Sequence, residues 1–163
     1  MKIGILSDSH NRTEAMAQAV RTLTANGAEY LIHCGDVGDE NILDYLAGTP
    51  SAFVWGNNDF DRRGLERYAE DLGIKCLGAM GELELGGKHI VVLHGDDERT
   101  KQRLLAEQRF DYLLQGHTHI PADVRVGKTR CINPGALHRA REKTVAILDT
   151  EKDELVFLRL VGV

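Results

Sequence analysis

The stretch Ile3–His10, with the sequence IGILSDSH, decides how the rest of the chain is interpreted. Its apolar run from Ile3 to Leu6 predicts a first β-strand, and a carboxylate and an imidazole, Asp8 and His10, follow where that strand would end. Two such side chains, separated by one residue, can converge on one point once the backbone bends. This arrangement is typical of a metal-ligand pair. Because two ligands do not hold a catalytic metal, further ligands are expected at other strand ends.

Length and composition are those of one ordinary folding unit. The 163 residues are enough for one hydrophobic core and too few for two ordinary domains, so a single domain over residues 1–163 is expected. With 42% hydrophobic and 28% charged residues, the whole chain is expected to fold. The net charge of −5 disfavours bulk nucleic-acid binding, although a positive metal centre could still attract a small anionic substrate.

Cysteine usage and hydropathy indicate the compartment. Cys34, Cys76 and Cys131 are odd in number and have no CxxC spacing, which indicates neither a disulfide framework nor a zinc cluster. The apolar N-terminal run ends at Ser7, too early for a signal peptide, and no apolar run has membrane-spanning length. These features predict a cytoplasmic protein with no membrane association. They leave the oligomeric state, including a homo-oligomer, open.

The first part of the chain alternates predicted strands and helices. Apolar spacing predicts three helices, over 12–26, 40–47 and 63–72, and two further strands, over 30–34 and 51–55. Asn11 and Glu14 have the spacing of a capping box at the start of the first helix. A βαβαβ pattern favours a parallel sheet, whose carboxyl-terminal edge gathers the polar residues that follow each strand.

From Ile74 onward the pattern becomes rich in strands. It predicts a hairpin of residues 80–85 and 88–93, a helix over 98–108, and strands over 111–114, 122–126, 129–132, 144–148 and 155–160. A mixed chain with this many strands is expected to form two packed sheets flanked by helices.

Five segments place possible metal ligands at one sheet edge. These ligands are Asp8, His10, Asp36, Asn57, His94, His117 and His119. Two carboxylates, one amide and four imidazoles suit Mn, Fe, Ni or Zn and are a poor set for calcium. Seven ligands are too many for one such ion, but they suit two ions that share a carboxylate. Asp36, which has no second ligand in its own turn, is the natural candidate for the shared carboxylate.

The charge of such a centre predicts its substrate class. Two divalent ions and two carboxylates leave a charge of about +2. Phosphate esters are therefore the expected substrates. A hydroxide held between both ions could attack phosphorus in line with the leaving group.

The same residues resemble a known family signature. The motifs are Asp8-x-His10, Gly35-Asp36, Gly56-Asn57-Asn58-Asp59, His94-Gly95 and Gly116-His117-x-His119. In order and ligand type they resemble the five motifs of the calcineurin-like metallophosphoesterases, over roughly three-quarters of the chain. The short length and the Asn133-Pro134-Gly135 turn make it most similar to the small bacterial and archaeal phosphodiesterases, a group that includes the fold of the retromer subunit. The resemblance implies an α/β/β/α sandwich, with two mixed sheets flanked by helices.

The resemblance also implies how the ligands are divided. One ion would bind Asp8, His10, Asp36 and His119, and the other would bind Asp36, Asn57, His94 and His117, with manganese favoured and nickel, iron or zinc as alternatives. The expected function is a binuclear metal-dependent phosphodiesterase. The alternatives are a phosphomonoesterase and a non-catalytic scaffold like the retromer subunit. The scaffold relatives lack the complete ligand set, whereas this chain has all of it.

One position departs from the family pattern. Many members have a histidine after the metal-binding asparagine, where this chain has Asn58. Asparagine cannot transfer a proton at neutral pH, so substrates with good leaving groups are expected to be favoured.

The remaining polar residues near the motifs are interpreted individually. His33 and His89 lie inside predicted strands and are assigned structural roles, and Asp59 is expected to orient the Asn57–Asn58 turn. Asp39, Asp96 and Asp97 lie near the motifs and are not counted as ligands. The sequence leaves open whether His138, Arg139 and Arg141 contact the substrate phosphate or form an exposed turn.

Overall fold

The chain folds into two β-sheets with helices on both outer faces, in a computed structural model that describes residues 1–163. The strands are β1 (Lys2–Leu6), β2 (Tyr30–His33), β3 (Ser51–Phe53), β4 (Lys75–Cys76), β5 (Met80–Leu85), β6 (Lys88–Leu93), β7 (Tyr112–Leu114), β8 (Ala122–Val126), β9 (Thr129–Asn133), β10 (Thr144–Asp149) and β11 (Glu154–Arg159). The helices are α1 (Thr13–Ala25), α2 (Glu40–Leu43), α3 (Arg62–Asp71) and α4 (Glu98–Glu107), and a 3-10 turn over Asp44–Leu46 continues α2. None of these helices could cross a lipid bilayer.

Strand order brings the predicted ligands together. The first sheet has the order β11-β10-β1-β2-β3-β4, and the second has the order β5-β6-β7-β9-β8. Strands β1, β2 and β3 run parallel, so their carboxyl ends lie at one edge. In the second sheet, β6, β7 and β9 are also parallel. The turns after β1, β2, β3, β6 and β7, which carry the candidate ligands, therefore meet at one end of the sandwich.

Side-chain alternation along the strands builds the layers. In β6, Ile90 and Val92 enter the core between the two sheets, whereas Val91 and Leu93 pack with α4 on the outer face. In β1, Ile3 and Ile5 face the second sheet. This period of two is the one expected for strands buried on both faces.

Three apolar clusters fill the three spaces between four layers. One packs α1, α2 and α3 on the first sheet, a second lies between the sheets, and a third packs α4 on the second sheet. Gly4 allows the first of these contacts, because a Cβ there would lie 3.1 Å from a methyl carbon of Leu23 in α1 and 2.7 Å from one of Leu31 in β2. The predicted α/β/β/α sandwich of two mixed sheets is confirmed.

Three details of local structure differ from the sequence-based prediction. No capping box forms, because Asn11 adopts a left-handed φ of 62° and Arg12, which caps α1, provides no side-chain hydrogen bond. The helix predicted over 40–47 is a four-residue α-helix followed by the 3-10 turn. Strand β4 was not predicted, since two residues are too few for an alternating pattern, and it forms only by pairing with β3.

Candidate metal centre

The predicted ligands lie in tight turns just after the strands. Five of them have positive φ angles, between 42° and 66°, and these are Asp8, His10, Asp36, His117 and His119. Aspartate and histidine tolerate this left-handed region better than most residues, but each such residue still costs about 1–3 kcal/mol. Their concentration here indicates that the turns are shaped to aim these side chains, since nothing local favours five strained residues at one edge.

Asp8, His10 and His119 form the first group of ligand atoms. One atom from each lies within 4.8 Å of the others. Asp8 Oδ1 is 3.1 Å from His119 Nε2 and 3.9 Å from His10 Nε2. Asp8 is fully buried, and the two histidines are partly exposed. One ion could therefore reach all three side chains and still be open to solvent.

Asp8, Asp36 and His94 form the second group, and all three side chains are buried. Asp36 Oδ2 lies 3.3 Å from His94 Nε2 and 3.4 Å from His10 Nε2. Asp8 Oδ1 lies 4.0 Å from His94 Nε2, so Asp8 is close to this group as well as to the first. The Asp36 carboxylate thus stands between one histidine of each group.

The two other predicted ligands are His117 and Asn57. The ring centroid of His117 is 5.1 Å from that of His94, in an edge-on arrangement. The backbone N–H of His117 donates to Asp8 Oδ2 at 3.1 Å. Asn57 follows β3 and has an exposed side chain. Five of the seven predicted ligands thus belong to the two groups, His117 packs against His94, and Asn57 is exposed in the turn after β3.

The hydrogen bonding of the centre tests whether a cation would fit. Asp8 Oδ1, His10 Nε2 and His94 Nε2 are buried and have no hydrogen-bond partner. An unpaired buried polar atom costs about 1–3 kcal/mol, so three that face one another call for a shared partner. A divalent cation is a suitable partner, since carboxylate oxygen and imidazole nitrogen are its common ligands.

In Asp8 and His94, the second polar atom of the side chain is held by a hydrogen bond. Ser7 Oγ donates to Asp8 Oδ2 at 2.6 Å, and His94 Nδ1 lies 2.8 Å from the carbonyl oxygen of Cys34. A ring that donates from Nδ1 presents a lone pair at Nε2, as metal-binding histidines do. The geometry around the group therefore fits a cation at the unpaired atoms.

Asp36 and His94 also shift each other's pKa. Burial disfavours the charged imidazole, but contact with Asp36 and the Cys34 carbonyl outweighs it and raises the pKa of His94 to about 9. Burial likewise opposes ionisation of Asp36, but His94 and two hydrogen bonds from Asn58 hold the pKa of this carboxyl far below its usual range. A cation that binds His94 Nε2 must therefore displace a proton.

Comparison with known proteins agrees with this geometry. Residues 1–153 match the sequence model of the calcineurin-like phosphoesterase superfamily domain. The chain belongs to this superfamily. The resemblance inferred from the motifs is confirmed, and so is the enzyme class, a phosphoesterase.

Two relatives of this calcineurin-like phosphoesterase come from the archaeon Methanocaldococcus jannaschii. Phosphodiesterase MJ0936 of Methanocaldococcus jannaschii is 27% identical over 159 residues, which cover 94% of this chain and 96% of the relative. A probable metallophosphoesterase of the same organism, MJ0623, is 33% identical over 140 residues, which cover 83% of this chain and 68% of the relative. The solved structure of an archaeal phosphodiesterase has a TM-score of 0.92 at 26% identity, and the match covers 98% of this chain and 100% of that one.

Asn58 contacts the centre of this phosphoesterase through Asp36. Its backbone N–H donates to Asp36 Oδ1 at 2.8 Å, and its side-chain Nδ2 donates to Oδ2 at 2.8 Å. The residue at the position of the usual family histidine therefore orients a carboxylate of the centre.

Asp59 links two of the turns that carry ligands. Its buried carboxylate accepts hydrogen bonds from the backbone N–H groups of Gly56 at 2.7 Å, Gly38 at 2.8 Å and Val37 at 3.2 Å. The predicted role in orienting the turn after β3 is confirmed. The same side chain also holds the turn after β2, which the sequence did not indicate.

The histidines assigned to structure have such roles. Ser9 Oγ donates to the carbonyl of Val37 at 3.0 Å, so the bond of 2.8 Å between Ser9 Oγ and His33 Nε2 is donated by the ring. Burial and the proximity of His94 lower the pKa of His33 to about 3, so this ring is neutral. His89 Nε2 lies 2.6 Å from a carboxylate oxygen of Glu84 at the surface.

Other residues near the motifs fall into three groups. Asp39 and Asp97 cap α2 and α4. The His138 ring lies beside the centre, with its centroid 5.3 Å from that of His10. Arg139 and Arg141 are exposed.

Sequence reasoning did not assign Ser7 or Asn133 to the centre. Ser7 holds Asp8, as described above, and Asn133 Nδ2 donates to the carbonyl of Gly116 at 2.7 Å and to Thr118 Oγ1 at 3.0 Å. Asn133 thereby supports the turn that carries His117 and His119. The signal available was its position at the end of β9 in an Asn-Pro-Gly turn, because polar residues at strand ends face the same edge.

Proposed function

We propose that this calcineurin-like phosphoesterase is a binuclear metal-dependent phosphodiesterase that acts on small phosphate diesters. The observation that carries the proposal is the convergence of three unpaired buried ligand atoms, Asp8 Oδ1, His10 Nε2 and His94 Nε2, around Asp36. The family supports phosphoester chemistry, and the phosphodiesterase name of an archaeal relative supports the diester.

The proposed ligand division follows the family pattern. Asp8, His10, Asp36 and His119 would hold one ion, and Asp36, Asn57, His94 and His117 would hold the other. Manganese is the favoured metal, with nickel, iron and zinc as alternatives. When bound, two divalent ions supply Lewis acidity, because they stabilise charge on the phosphoryl oxygens and lower the pKa of water.

The remaining roles belong to the protein. Asn58 orients Asp36 through two hydrogen bonds, and the Cys34 carbonyl orients His94. Asn58 cannot give a proton to the leaving oxygen, so substrates whose leaving group departs as a stable anion are favoured. Aryl esters meet this condition better than alkyl esters.

The two alternatives predict different behaviour. A non-catalytic scaffold has no need for three unpaired buried ligand atoms, which cost stability unless a cation pairs with them. A phosphomonoesterase would prefer a dianionic ester over a monoanionic one of the same leaving group. Activity towards matched diesters and monoesters therefore distinguishes the three functions.

The test is hydrolysis of bis(p-nitrophenyl) phosphate and p-nitrophenyl phosphate by protein that has been stripped of metal and reloaded with Mn, Ni, Fe, Zn or Mg in turn. We expect metal-dependent hydrolysis with the diester preferred. Asp36→Asn should abolish it, because the change affects both ions. Asp71→Asn is the matched control, since Asp71 is exposed at the end of α3. No hydrolysis with any metal contradicts the enzyme, and a preference for the monoester contradicts the diester assignment.

A further inference from the structure

A cavity of about 420 Å³ opens beside the metal centre, between the start of α1 and the segment that follows β9. Arg12 and Glu14 line it from the α1 side, and His138 and Lys143 line it from the other side. His138 is shared with the centre, since its ring packs edge-on against that of His10 with 5.3 Å between the centroids. A molecule bound at the metals could therefore extend into this cavity past a single imidazole ring.

Two cations, Arg12 and Lys143, and one carboxylate, Glu14, line the cavity. Neither Arg12 nor Lys143 forms an ion pair, and Glu14 is the one acidic side chain in the lining. Arg12 is held in place, because its Nε donates to His138 Nδ1 at 3.2 Å. Since this bond uses only Nε, the two terminal nitrogens of the guanidinium remain available as donors.

Two backbone donors lie in the same wall. The N–H groups of Glu14 and Ala15 have no acceptor in the protein, because Arg12 provides no side-chain cap for α1. Free N–H groups in the first turn of a helix favour an anion, and here they add to two cationic side chains around one cavity.

The cavity on the opposite side of the centre differs in chemistry. It also has a volume of about 420 Å³, and its lining includes Trp55, Met80 and Leu93 together with two carboxylates, Asp96 and Asp97, and two guanidinium groups, Arg62 and Arg103. Its two positive and two negative side chains balance, whereas Arg12 and Lys143 outnumber Glu14 in the first cavity. The two sides of the centre are thus unlike, as expected for a site that distinguishes the two arms of a diester.

We propose that the cavity lined by Arg12 and Lys143 binds a second phosphate, carried on one arm of the diester substrate. This inference rests on the proposed function and deepens it, because it names the substrate class: phosphodiesters whose retained arm bears a further phosphate group. Arg12 and the α1 amides contact that phosphate, Lys143 neutralises it, and Glu14 weakens its binding.

Two synthetic diesters test the proposal. Both have a p-nitrophenyl leaving group and a glycerol arm, and in one of them the far hydroxyl of glycerol is phosphorylated. We expect kcat/KM to be about tenfold higher for the phosphorylated diester, mostly through a lower KM. In the double variant Arg12→Gln/Lys143→Gln the ratio of kcat/KM between the two diesters should fall to about one.

Two further variants make the test specific. Glu14→Gln should increase the preference, because it removes the opposing charge. Arg21→Gln/Lys152→Gln removes the same two charges at exposed positions away from the cavity and should keep the wild-type preference. Equal efficiency on both diesters in the wild type, or a preference that survives in Arg12→Gln/Lys143→Gln, overturns the proposal.

Amide chemical shifts separate this proposal from the proposed function. Inorganic phosphate added to zinc-loaded protein should shift the amide signals of Glu14 and Ala15, and Arg12→Gln/Lys143→Gln should lose these shifts. If neither diester is hydrolysed but the shifts occur, the proposed function fails and the phosphate site stands. The opposite outcome is hydrolysis of both diesters without preference, with phosphate shifting only the signals of the turns that carry the metal ligands. In that case the phosphate site fails and the proposed function stands.

Discussion

Asn58 holds both oxygens of Asp36, with its backbone N–H 2.8 Å from Oδ1 and its side-chain Nδ2 2.8 Å from Oδ2. This clamp fixes the carboxylate that stands between His10 and His94. Asn58, which cannot transfer a proton at neutral pH, thus has a positioning role.

Asn58→Ala removes one of these two hydrogen bonds and keeps the other. We expect metal affinity to fall by about 10–100-fold, the usual effect of losing a group that orients a ligand. Isothermal titration with Mn²⁺ or Zn²⁺ measures it, with Asn41→Ala on the exposed side of α2 as control. Unchanged affinity would mean that the backbone bond alone positions Asp36.

Asn58→His tests the leaving-group preference. An imidazole at this position can protonate a departing oxygen, so alkyl phosphate diesters should gain in kcat more than p-nitrophenyl diesters, which need no such help. The comparison should be made at saturating metal, because the variant also loses the Nδ2 bond to Asp36. If alkyl esters gain nothing, proton donation does not limit this enzyme.

His10→Ala tests the division of ligands between the two ions. His10 belongs to the group with Asp8 and His119, so the variant should lose one bound ion in preference to the other. His94→Ala should show the opposite preference. Metal content by elemental analysis, and spectroscopy of mixed-metal protein, report which ion is lost. Equal loss of both ions in His10→Ala would show that the proposed division is incorrect.

Arg130 provides a prediction for pH-dependent stability away from the metal centre. Its Nε and one terminal nitrogen each lie 2.8 Å from an oxygen of Asp123, and its other terminal nitrogen lies 2.8 Å from Asp153 Oδ1. The bonds from Arg130 lower the pKa of Asp123 below its ordinary 3.8. A carboxyl with a lowered pKa in the folded state stabilises the fold above the ordinary value and loses this effect as pH falls through the lowered one.

Arg130→Met should therefore lower the free energy of unfolding by about 1 kcal/mol at neutral pH, the range of partly exposed ion pairs. The difference from wild type should shrink as the pH falls from 3.8 through the lowered pKa of Asp123, because the folded and the unfolded chain both bind the proton below that pKa. Urea unfolding across pH measures it. Arg159→Met, which breaks an exposed pair with Glu142, should have little effect at any pH. A difference that stays constant with pH would mean that packing of Arg130, and not its charge, stabilises the fold.

The sequence determined the features that depend on near neighbours. The apolar run of β6 predicted the second strand of a hairpin, and the polar residues at the ends of β1, β2 and β7 predicted which side chains would share an edge. Both signals are local, because side chains of a strand alternate with a period of two and parallel strands end at one edge. The seven candidate ligands and the layered fold followed from them.

Only the tertiary structure decided which side chains touch. Asn58 and Asp36 are 22 positions apart in the chain, and Arg12 and His138 are 126 apart, so no local period relates them. The capping box at Asn11 and Glu14 fails for the same reason, since the turns after β1 and β2 bond to each other and impose a left-handed backbone on Asn11. Sequence periodicity reports which residues are buried, whereas partners in a site depend on how several strained turns converge, and that is a property of the packed sheets.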